Sequence, residues 1–233
     1  MESFFRLRSW CLDLLFPKAC VGCGREGAFL CGRCREGTLF SAPSCLVCNL
    51  RNFTGILCGS CAERVHLRRF LAPFSYRNPL IRELIHTYKY EGVRELAAPL
   101  ADEVQRFLTF YGIRIAPGAL LVPIPLHRSR ERERGFNQAA LLAANLGARL
   151  GLRVLPVLER NRATEQQIDM DSYERRRQNV RHAFRAPDTA AIAGKPVVLI
   201  DDVATSGATL SEAAAVLREA GARTVWAIVI AKG

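Results

Sequence analysis

The sequence predicts an α/β domain, with a mainly parallel sheet and flanking helices, that follows a small Cys-rich module. Eight of the nine Cys fall between Cys20 and Cys61, whereas from about Phe70 onward strand-like and helix-like segments alternate. Such alternation is typical of a parallel sheet with helices on its faces. The length of 233 residues accommodates two domains. We therefore expect a first domain over residues 1–69, beginning with a helix, and a second over residues 70–233.

The overall composition excludes two classes of protein. Apolar residues make up 49% of the chain, so wholesale disorder is excluded. No apolar run approaches the roughly 20 residues that cross a bilayer. The N-terminal stretch carries Arg6, Arg8 and Asp13 where a signal peptide needs an uninterrupted apolar segment. We expect a soluble, cytoplasmic protein without a membrane span.

The positive charge of the chain comes mainly from Arg. Lys and Arg together number 33 against 22 acidic residues, which gives a net charge of +11, and only four of the 33 are Lys. The guanidinium group offers a rigid fork of donors that suits phosphate. This bias points to phosphorylated partners, although a solvated basic surface or Arg-rich codon usage also explains it.

The eight clustered Cys form four C-x-x-C pairs. Two thiolates at this spacing lie on one tight turn and can bind the same ion, and a tetrahedral zinc site needs two such turns. The sequence therefore predicts two zinc sites. The simplest assignment follows chain order, although interleaved pairing of the four turns also gives two sites. In chain order, the ligands are Cys20, Cys23, Cys31 and Cys34 for one site and Cys45, Cys48, Cys58 and Cys61 for the other.

Other uses of these Cys fit less well. Disulfides belong to oxidising compartments, the close spacings of a ferredoxin are missing, and thioredoxin-like chemistry uses a single C-x-x-C. Four Cys ligands leave no open position for water, so we expect the zinc to be structural and to supply folding free energy. Cys11 has no partner in the pattern and lies in an apolar stretch, which predicts a packed thiol.

The second domain can be divided into elements. Asn78 and Pro79 predict the N-cap and first turn of a helix, and Pro99 fits the first turn of another. The predicted apolar face of the first helix comprises Leu80, Ile81, Leu84, Ile85 and Tyr88. Further helices are predicted over residues 137–150 and 210–220, the latter ending at Gly221, and strands over residues 119–122, 152–158, 180–184, 196–200 and 224–230.

The segment 197–210 is the most informative. Four apolar residues predict a strand buried on both faces, Asp201 and Asp202 follow it, and a loop around Gly207 leads into a helix. Glycine allows close approach of the backbone to a ligand, and the amides and dipole of a helix N-terminus favour an anion. The loop therefore predicts a phosphate site, made of Thr205, Ser206, Gly207, Ala208 and Thr209.

The adjacent carboxylates complement this loop. Because they repel each other, keeping both ionised calls for hydroxyl donors or a divalent ion. A ribose diol with Mg²⁺ meets that demand. Seen alone, Asp201 and Asp202 fit an acidic turn after a strand better than a ligand site, but their position between a buried strand and a phosphate loop favours the ligand site.

This segment resembles the phosphoribosyl pyrophosphate (PRPP) fingerprint of type I phosphoribosyltransferases. From Cys20 to Lys232 the chain resembles the ComF family, which includes ComFC-type competence proteins and GntX-like proteins and is built as a double zinc ribbon followed by a phosphoribosyltransferase domain. The further matches are residues 84–90 (LIHTYKY), 122–126 (VPIPL) and 134–138 (RGFNQ), together with Thr164, Gln167, Arg176, Asn179 and Phe184.

The resemblance implies a role for each segment. Asp201 and Asp202 would hold the ribose hydroxyls, and the loop around Gly207 would hold the 5-phosphate of PRPP, with Mg²⁺ bound to the ligand. The pyrophosphate would lie against the loop Pro123, Ile124, Pro125, Leu126, His127 and Arg128. The polar run 160–177 would be a mobile catalytic loop, with Arg162, Thr164 and Gln167 toward the ligand.

The basic residues outside the motifs allow two interpretations. The four Arg of residues 128–134 lie in a predicted turn after a strand, where they would neutralise pyrophosphate or form a solvated charge run. Arg175–177 fit a helix begun by Asp171. Lys89 shares a helical side with His86 and would either reach phosphate or lie on an exposed polar face.

Three functions remain open. A phosphoribosyltransferase would transfer phosphoribose to an acceptor that nothing in the sequence names. The ComF resemblance instead implies a role in DNA uptake during natural transformation, with single-stranded DNA and a helicase as partners, and a PRPP sensor is a third possibility. Aromatic residues could stack on bases, although core positions are the simpler interpretation; they are Phe53, Phe70, Phe74 and Tyr76.

Overall fold

The computed structural model describes residues 18–161 and 180–233. Predictions that concern Cys11, the N-terminal helix, and the segment with Arg162, Thr164, Gln167 and Arg175–177 lie outside these residues. Within the described part, the predicted α/β organisation is confirmed, because a parallel five-stranded sheet lies between helices on both faces.

The helices, in chain order, are α1 Gly32–Glu36, α2 Gly59–Val65, α3 Pro79–Tyr90, α4 Ala97–Phe110, α5 Arg128–Arg134, α6 Gln138–Leu150 and α7 Ala208–Glu219, with a 3-10 turn at Arg94–Leu96. The strands are β1 Arg69–Leu71, β2 Phe74–Ser75, β3 Leu120–Pro123, β4 Arg153–Val154, β5 Glu159–Arg160, β6 Phe184–Arg185, β7 Pro196–Ile200, β8 Val203–Ala204, β9 Thr224–Ile228 and β10 Ala231–Lys232.

The main sheet has the strand order β1-β9-β7-β3-β4, and all its neighbours are parallel. A second parallel sheet, β2-β10-β8, follows the carboxyl ends of β1, β9 and β7 after a short break in each. The break after β7 contains Asp201 and Asp202. The acidic pair therefore lies at the carboxyl edge of the sheet, where ligands bind in open α/β folds.

Alternation along the strands divides the core into two layers. In β7, Val197 and Leu199 pack on one face of the sheet, whereas Val198 and Ile200 pack on the other. Each of these four side chains is at most 1% exposed. The strand is therefore buried on both faces, as its continuous apolar run predicts.

Each half of the Cys-rich module covers a different face of the sheet. One face packs against α7 and against Leu46, Leu57 and Val65 of the second half. The opposite face packs against α3, α4 and α6, with Phe29 and Phe40 of the first half joining that layer. The core thus continues from the sheet into both halves of the module, so apolar burial supplements metal binding in holding a small module together.

Asparagine caps define the starts of two helices. The side chain of Asn78 accepts hydrogen bonds from the amides of Leu80 and Ile81, and Asn137 does the same at the start of α6. Each cap satisfies amides that have no partner within their helix. The predicted starts of these two helices are therefore confirmed, as is the place of Pro99 in the first turn of α4.

Several predicted strands are wrong in extent. Only β4, Arg153–Val154, forms within the strand predicted over residues 152–158, because Pro156 has no amide N–H to donate to a neighbouring strand. The strand over 224–230 ends at Ile228, since the amide of Ile230 turns to the carbonyl of Asp202. Of the strand predicted over residues 180–184, only Phe184 belongs to a strand, β6, which pairs antiparallel with β5. Val180 is helical instead.

The predicted turn over residues 128–134 is a helix. The ring of His127 accepts a hydrogen bond from the amide of Ser129 at its start, and Gly135 ends it with a φ of 73°. Glycine adopts this left-handed conformation without strain, so the segment is capped at both ends. The arginines of α5 are consequently distributed around a helix.

The predicted boundary after residue 69 falls at the start of β1 and stays a prediction. Backbone hydrogen bonds run across it, from the amide of Arg68 to Val225 and from the amide of Phe70 to Gly55. None of the helices in the described ranges combines the length and the apolar character that crossing a bilayer requires.

Candidate functional site

The Cys-rich module gathers its thiols into two groups of four. The sulfur atoms of Cys20, Cys23, Cys31 and Cys34 lie within 4.8 Å of one another, and those of Cys45, Cys48, Cys58 and Cys61 do likewise. The assignment in chain order is therefore correct, and the interleaved alternative is wrong. All eight thiols are free of disulfides.

The spacing of the sulfurs fits tetrahedral zinc. The Sγ atoms of Cys23 and Cys31 are 3.6 Å apart, and those of Cys48 and Cys58 are 3.8 Å apart. Tetrahedral coordination with Zn–S bonds of about 2.3 Å requires sulfurs about 3.8 Å apart. Each group can thus bind one zinc ion through four thiolates, which leaves no open position for catalysis.

Local backbone geometry favours the thiolate form of the first Cys in each group. The amide of Cys31 donates to Cys20 Sγ at 3.4 Å. Burial raises the pKa of Cys20, but backbone N–H donors outweigh it and lower the pKa to about 6. The same balance lowers the pKa of Cys45 to about 7. Zinc binds the deprotonated thiol, so these donors assist metal binding.

The acidic pair lies where β7 separates from β9. The amide of Asp201 still donates to Ile228, but the carbonyl of Asp202 accepts from the amides of Ile230 and Ala231. Asp202 is only 4% exposed, whereas Asp201 is half-buried. The two carboxylates therefore lie in different environments at the same edge.

Both carboxylate oxygens of Asp202 have partners within the protein. Lys89 Nζ lies 2.6 Å from Asp202 Oδ1, and Gln138 Nε2 donates to Oδ2 at 2.7 Å. Burial alone would lower the pKa of Lys89, but the negative charge of Asp202 outweighs it and raises the pKa. The interpretation of Lys89 as part of an exposed polar face is wrong, because its side chain is 17% exposed.

A signal for Lys89 was present in the helical periodicity. It follows Ile85 by four residues, which places it on the buried face of α3 that Ile85 and Tyr88 define. A buried lysine requires a negative partner. Gln138 lies in the matched segment 134–138, but helical periodicity did not indicate its burial, since it directly follows the N-cap of α6 and is nevertheless 3% exposed.

The carboxylate of Asp201 has less compensating positive charge than that of Asp202. Burial and the nearby charge of Asp202 raise the pKa of Asp201 to about 7, although Lys89, the amide of Asp202 and Arg160 oppose the shift. The amide of Asp202 donates to Asp201 Oδ1 at 2.9 Å. Asp201 can thus hold or release a proton near neutral pH, and a cation or hydroxyl donors beside it would favour its ionised form.

Arg160 brings positive charge to this carboxylate from β5. Burial and the neighbouring charge of Arg130 lower its pKa, whereas Asp201 opposes that change. The predicted mobile loop began at residue 160, yet Arg160 is in a strand paired with Phe184 of β6. The rest of that loop, including Arg162, Thr164 and Gln167, is outside the described ranges.

The loop that follows β8 leads directly into α7. Gly207 is the N-cap of α7 and has a φ of 75°, and Ser206 Oγ accepts a hydrogen bond from the amide of Ala208. Thr205, Ser206 and Thr209 are half-buried, whereas Gly207 and Ala208 are buried. The hydroxyl groups and the N-terminal end of a 12-residue helix therefore lie together.

The loop after β3 lies beside the acidic pair at the same edge. The amide of Ile124 donates to Ile200, the last residue of β7, and the side chain of Asn137 donates to the carbonyl of Ile124. Pro123 and Ile124 are buried, Pro125, Leu126 and His127 are half-buried, and Arg128 is exposed. Backbone contacts thus bring together the loop after β3 and the edge of β7.

Comparison with known families agrees with this division of the chain. A double zinc ribbon domain matches residues 11–62, and a phosphoribosyl transferase domain matches residues 133–233. The second match contains the acidic pair and the loop into α7. The Cys-rich module is accordingly a double zinc ribbon, and the sheet with its helices is a type I phosphoribosyltransferase domain.

Three curated relatives extend over most of the chain. DNA utilization protein YhgH of Salmonella typhimurium is 31% identical over 202 residues, which are 84% of this chain and 87% of that protein. Competence protein ComFC of Bacillus subtilis is 30% identical over 184 residues, 76% of this chain and 72% of that protein. Competence protein F of Haemophilus influenzae is 29% identical over 210 residues, 84% of this chain and 87% of that protein. Similarity of this extent, with the zinc ribbons and the phosphoribosyltransferase domain in the same order, shows that the chain belongs to the ComF family.

Proposed function

We propose that this protein binds PRPP together with Mg²⁺ at the carboxyl edge of its sheet and acts in DNA uptake. The observation that carries the proposal is the succession of β7, the acidic pair, the hydroxyl-rich loop and the N-terminus of α7. These elements offer carboxylates for a ribose diol next to amide and hydroxyl donors for a phosphate. Ribose 5-phosphate presents these same two groups at opposite ends of one sugar.

The 5-phosphate would bind in the loop before α7. Hydroxyl groups of Thr205, Ser206 and Thr209 and the amides around Gly207 would donate to its oxygens. The dipole of α7 would add a favourable interaction with its negative charge. Gly207 has a φ of 75°, a left-handed conformation that glycine adopts without strain and that lets the loop turn into α7 with its amides toward the phosphate.

The two carboxylates would have different tasks. Asp202 would act through its contacts with Lys89 and Gln138, which occupy both of its oxygens. Asp201 would bind the ribose hydroxyls directly, because it is half-buried and its raised pKa reports a carboxylate short of compensating charge. Of the two carboxylates expected to hold the ribose hydroxyls, Asp201 would thus make the direct contact and Asp202 would support it.

The pyrophosphate of PRPP would lie toward the loop Pro123–Arg128 and the basic residues beside it. Arg160 and Arg130 would supply positive charge on the side of Asp201, and Arg162, Thr164 and Gln167 remain proposed ligand contacts. The oxygen donors of Asp201 and of the ligand are of the type that Mg²⁺ prefers. When bound, Mg²⁺ would neutralise charge on the pyrophosphate as it leaves C1 of the ribose.

The protein would contribute alignment and electrostatic stabilisation to such a transfer. Its loops would hold the phosphate and pyrophosphate ends of the ligand so that C1 faces an incoming nucleophile. The acceptor of the phosphoribosyl group is left open. Relatives named for DNA utilization and for competence support the proposed place of this activity in DNA uptake.

Isothermal titration calorimetry with PRPP, with and without Mg²⁺, tests the ligand. We expect Mg²⁺-dependent binding that falls at least about 30-fold in Asp201→Asn, since a charge-assisted contact in a partly buried site is lost. Asp188→Asn is the matched control because Asp188 is exposed and distant in sequence from the loop. Equal affinity of Asp201→Asn and the unmodified protein would contradict the site.

Pyrophosphate release then distinguishes an enzyme from a sensor. The protein with PRPP and Mg²⁺ is screened against purine, pyrimidine and nicotinate-type bases and against oligonucleotides. Release that depends on one acceptor identifies a transferase and its substrate. Tight PRPP binding without release for any acceptor favours the sensing role.

Direct binding of single-stranded DNA is a second candidate function. Of the four aromatic residues considered for base stacking, Phe70 and Phe74 are buried in the core, whereas Phe53 is 77% exposed on the second zinc ribbon. Its neighbours Leu50 and Arg51 are exposed as well. An exposed aromatic ring beside a basic residue suits stacking on a base near a phosphate.

Fluorescence anisotropy with a labelled oligonucleotide tests this alternative. Affinity should fall steeply with salt, and Phe53→Ala should weaken it about tenfold. Phe110→Ala is the control because Phe110 is 71% exposed on α4. An affinity that does not change with salt, or equal losses in both variants, would contradict the proposed stacking contact.

A further inference from the structure

The second zinc ribbon contacts the loop that the proposed function assigns to phosphate. Leu46 lies between the zinc ligands Cys45 and Cys48 and is 4% exposed. A Cβ added at Gly207 would lie 2.5 Å from Leu46 Cδ2 and 2.9 Å from Leu46 Cγ. The side chain of Leu46 therefore packs directly on the backbone of Gly207.

The same knuckle, residues 45–48, is also linked to the strand next to the one that precedes the loop. Lys232 Nζ donates to the carbonyl of Cys45 at 3.1 Å and to Asn49 Oδ1 at 2.5 Å. Lys232 belongs to β10, which pairs with β8 immediately before the loop, and the amide of Gly233 donates to Ala204. The second knuckle therefore contacts the loop directly through Leu46. It is also hydrogen-bonded to β10, the strand that pairs with β8 just before the loop.

The first knuckle, residues 20–23, makes no corresponding contact within the described residues. A Cβ at its Gly22 would lie 2.8 Å from Leu80 of α3, on the other face of the sheet. Val21 occupies the position that matches Leu46, directly after the first Cys of its knuckle, and packs in that same layer. The two zinc sites therefore have different neighbours, although their ligands are alike.

We propose that Leu46 is a positioning residue for the phosphate loop, so that zinc binding at the second site sets the affinity of the protein for the 5-phosphate of PRPP. This proposal rests on the proposed function for its ligand. Zinc fixes residues 45–48 through Cys45 and Cys48 on either side of Leu46, and Leu46 then limits the backbone positions that Gly207 can adopt. A loop held in its binding conformation loses less entropy when the phosphate binds.

Leu46→Ala tests the packing step, with Val21→Ala as the matched control in the first knuckle. We expect Leu46→Ala to keep two zinc ions and to bind PRPP with Mg²⁺ about tenfold more weakly. Amides 205–211 should exchange hydrogen faster in this variant, while Val21→Ala should leave both properties within twofold of the unmodified protein. Leu46→Met retains the volume of the side chain and should restore affinity.

Cys48→Ser tests the metal step. It should lose one zinc ion and should weaken PRPP binding at least as much as Leu46→Ala, with faster exchange over the same amides. Affinity within twofold of the unmodified protein in both variants would overturn the proposal, as would faster exchange of amides 205–211 with no loss of affinity.

The exchange measurement also separates this proposal from the proposed function. If the unmodified protein fails to bind PRPP, the ligand assignment is wrong, but exchange of amides 205–211 still reports whether Leu46 restrains the loop. Unchanged exchange in Leu46→Ala would then overturn the positioning role on its own.

Discussion

Lys89 of α3 and Asp202 after β7 form an ion pair, with 2.6 Å between Nζ and Oδ1. The two residues are 113 positions apart in the sequence, and the pair connects the helical layer to the carboxyl edge of the sheet. Both side chains are largely buried, so each depends on the other for its charged form. The pair therefore holds one carboxylate in place beside a second, Asp201, whose charge is incompletely balanced.

Lys89→Met should destabilise the protein by about 3 kcal/mol, because it leaves the buried carboxylate of Asp202 without its positive partner. Urea unfolding at pH 7.5 measures the change in the free energy of unfolding. The raised pKa of Lys89 means that its contribution is fully present below the unfolded-state pKa near 10.5 and is lost only as pH rises through the folded value.

Exposed Lys195 provides the control, since Lys195→Met should change the free energy of unfolding by less than about 0.5 kcal/mol. The double variant Lys89→Met/Asp202→Asn should recover part of the loss, which gives the coupling between the two side chains. Additive effects of the two substitutions would contradict the ion pair.

Asp201→Asn should stabilise the protein at pH 8, although it weakens PRPP binding. The pKa of Asp201 rises from 3.8 to about 7 on folding, so between these values the folded state binds more protons than the unfolded state and stability falls as pH rises. Each unit of pKa is worth about 1.4 kcal/mol, which limits the gain to at most ~4 kcal/mol.

Thermal unfolding of Asp201→Asn and the unmodified protein at pH 5, 6, 7 and 8 measures this effect. The difference in Tm should grow with pH up to about 7 and then level off, in keeping with the pKa of Asp201. A constant difference, or destabilisation at pH 8, would mean that Asp201 is ionised without cost in the folded state.

Tyr88→Phe should cost about 1–2 kcal/mol of stability, because a buried carbonyl loses its donor. The hydroxyl of Tyr88 donates to the backbone carbonyl of Gln138 at 2.7 Å and thereby links α3 to α6. Tyr90→Phe is the control in the same helix, since Tyr90 is 53% exposed. Urea unfolding of the two variants should separate them, and equal effects would contradict a structural role for the buried hydroxyl.

The protein should contain two zinc ions per chain and should release both on acidification to about pH 5, because protons compete for the thiolate ligands. Metal analysis gives the stoichiometry, and a colorimetric zinc indicator follows the release. Cys31→Ser should leave one ion, since it removes a ligand from the first group alone. A single ion in the unmodified protein would leave one group of four Cys without metal.

Local sequence signals predicted much of the fold. The caps at Asn78 and Asn137, the apolar run of β7 and the four C-x-x-C pairs each depend on residues that are close in the chain. Predictions failed where a hydrogen bond to a backbone group distant in the sequence determined where a strand ends. β9 ends early because the amide of Ile230 turns to Asp202 instead of continuing the ladder.

The candidate site was only partly visible in the sequence. Asp201, Asp202 and the loop to Thr209 are contiguous, so their pattern could be recognised without a structure. Gln138 belongs to the matched segment 134–138, but its contact with Asp202 could not be inferred from the sequence, since a glutamine at the start of a helix is ordinarily solvated. Its role arises because α6 begins beside Asp202.

Spacing and periodicity encode local geometry, so they were enough to predict the four C-x-x-C pairs, the parallel α/β class and the order of acidic pair and loop before α7. The family was indicated by the resemblance of its motifs, and the grouping of the Cys pairs into two sites required the structure. Two contacts became evident only once the chain was folded: Lys89 neutralises Asp202, and Leu46 of the second ribbon packs on Gly207. Both contacts join residues more than 100 positions apart. Such contacts depend on how whole layers pack, and in these layers burial sets both the charge partners and the space available to each side chain.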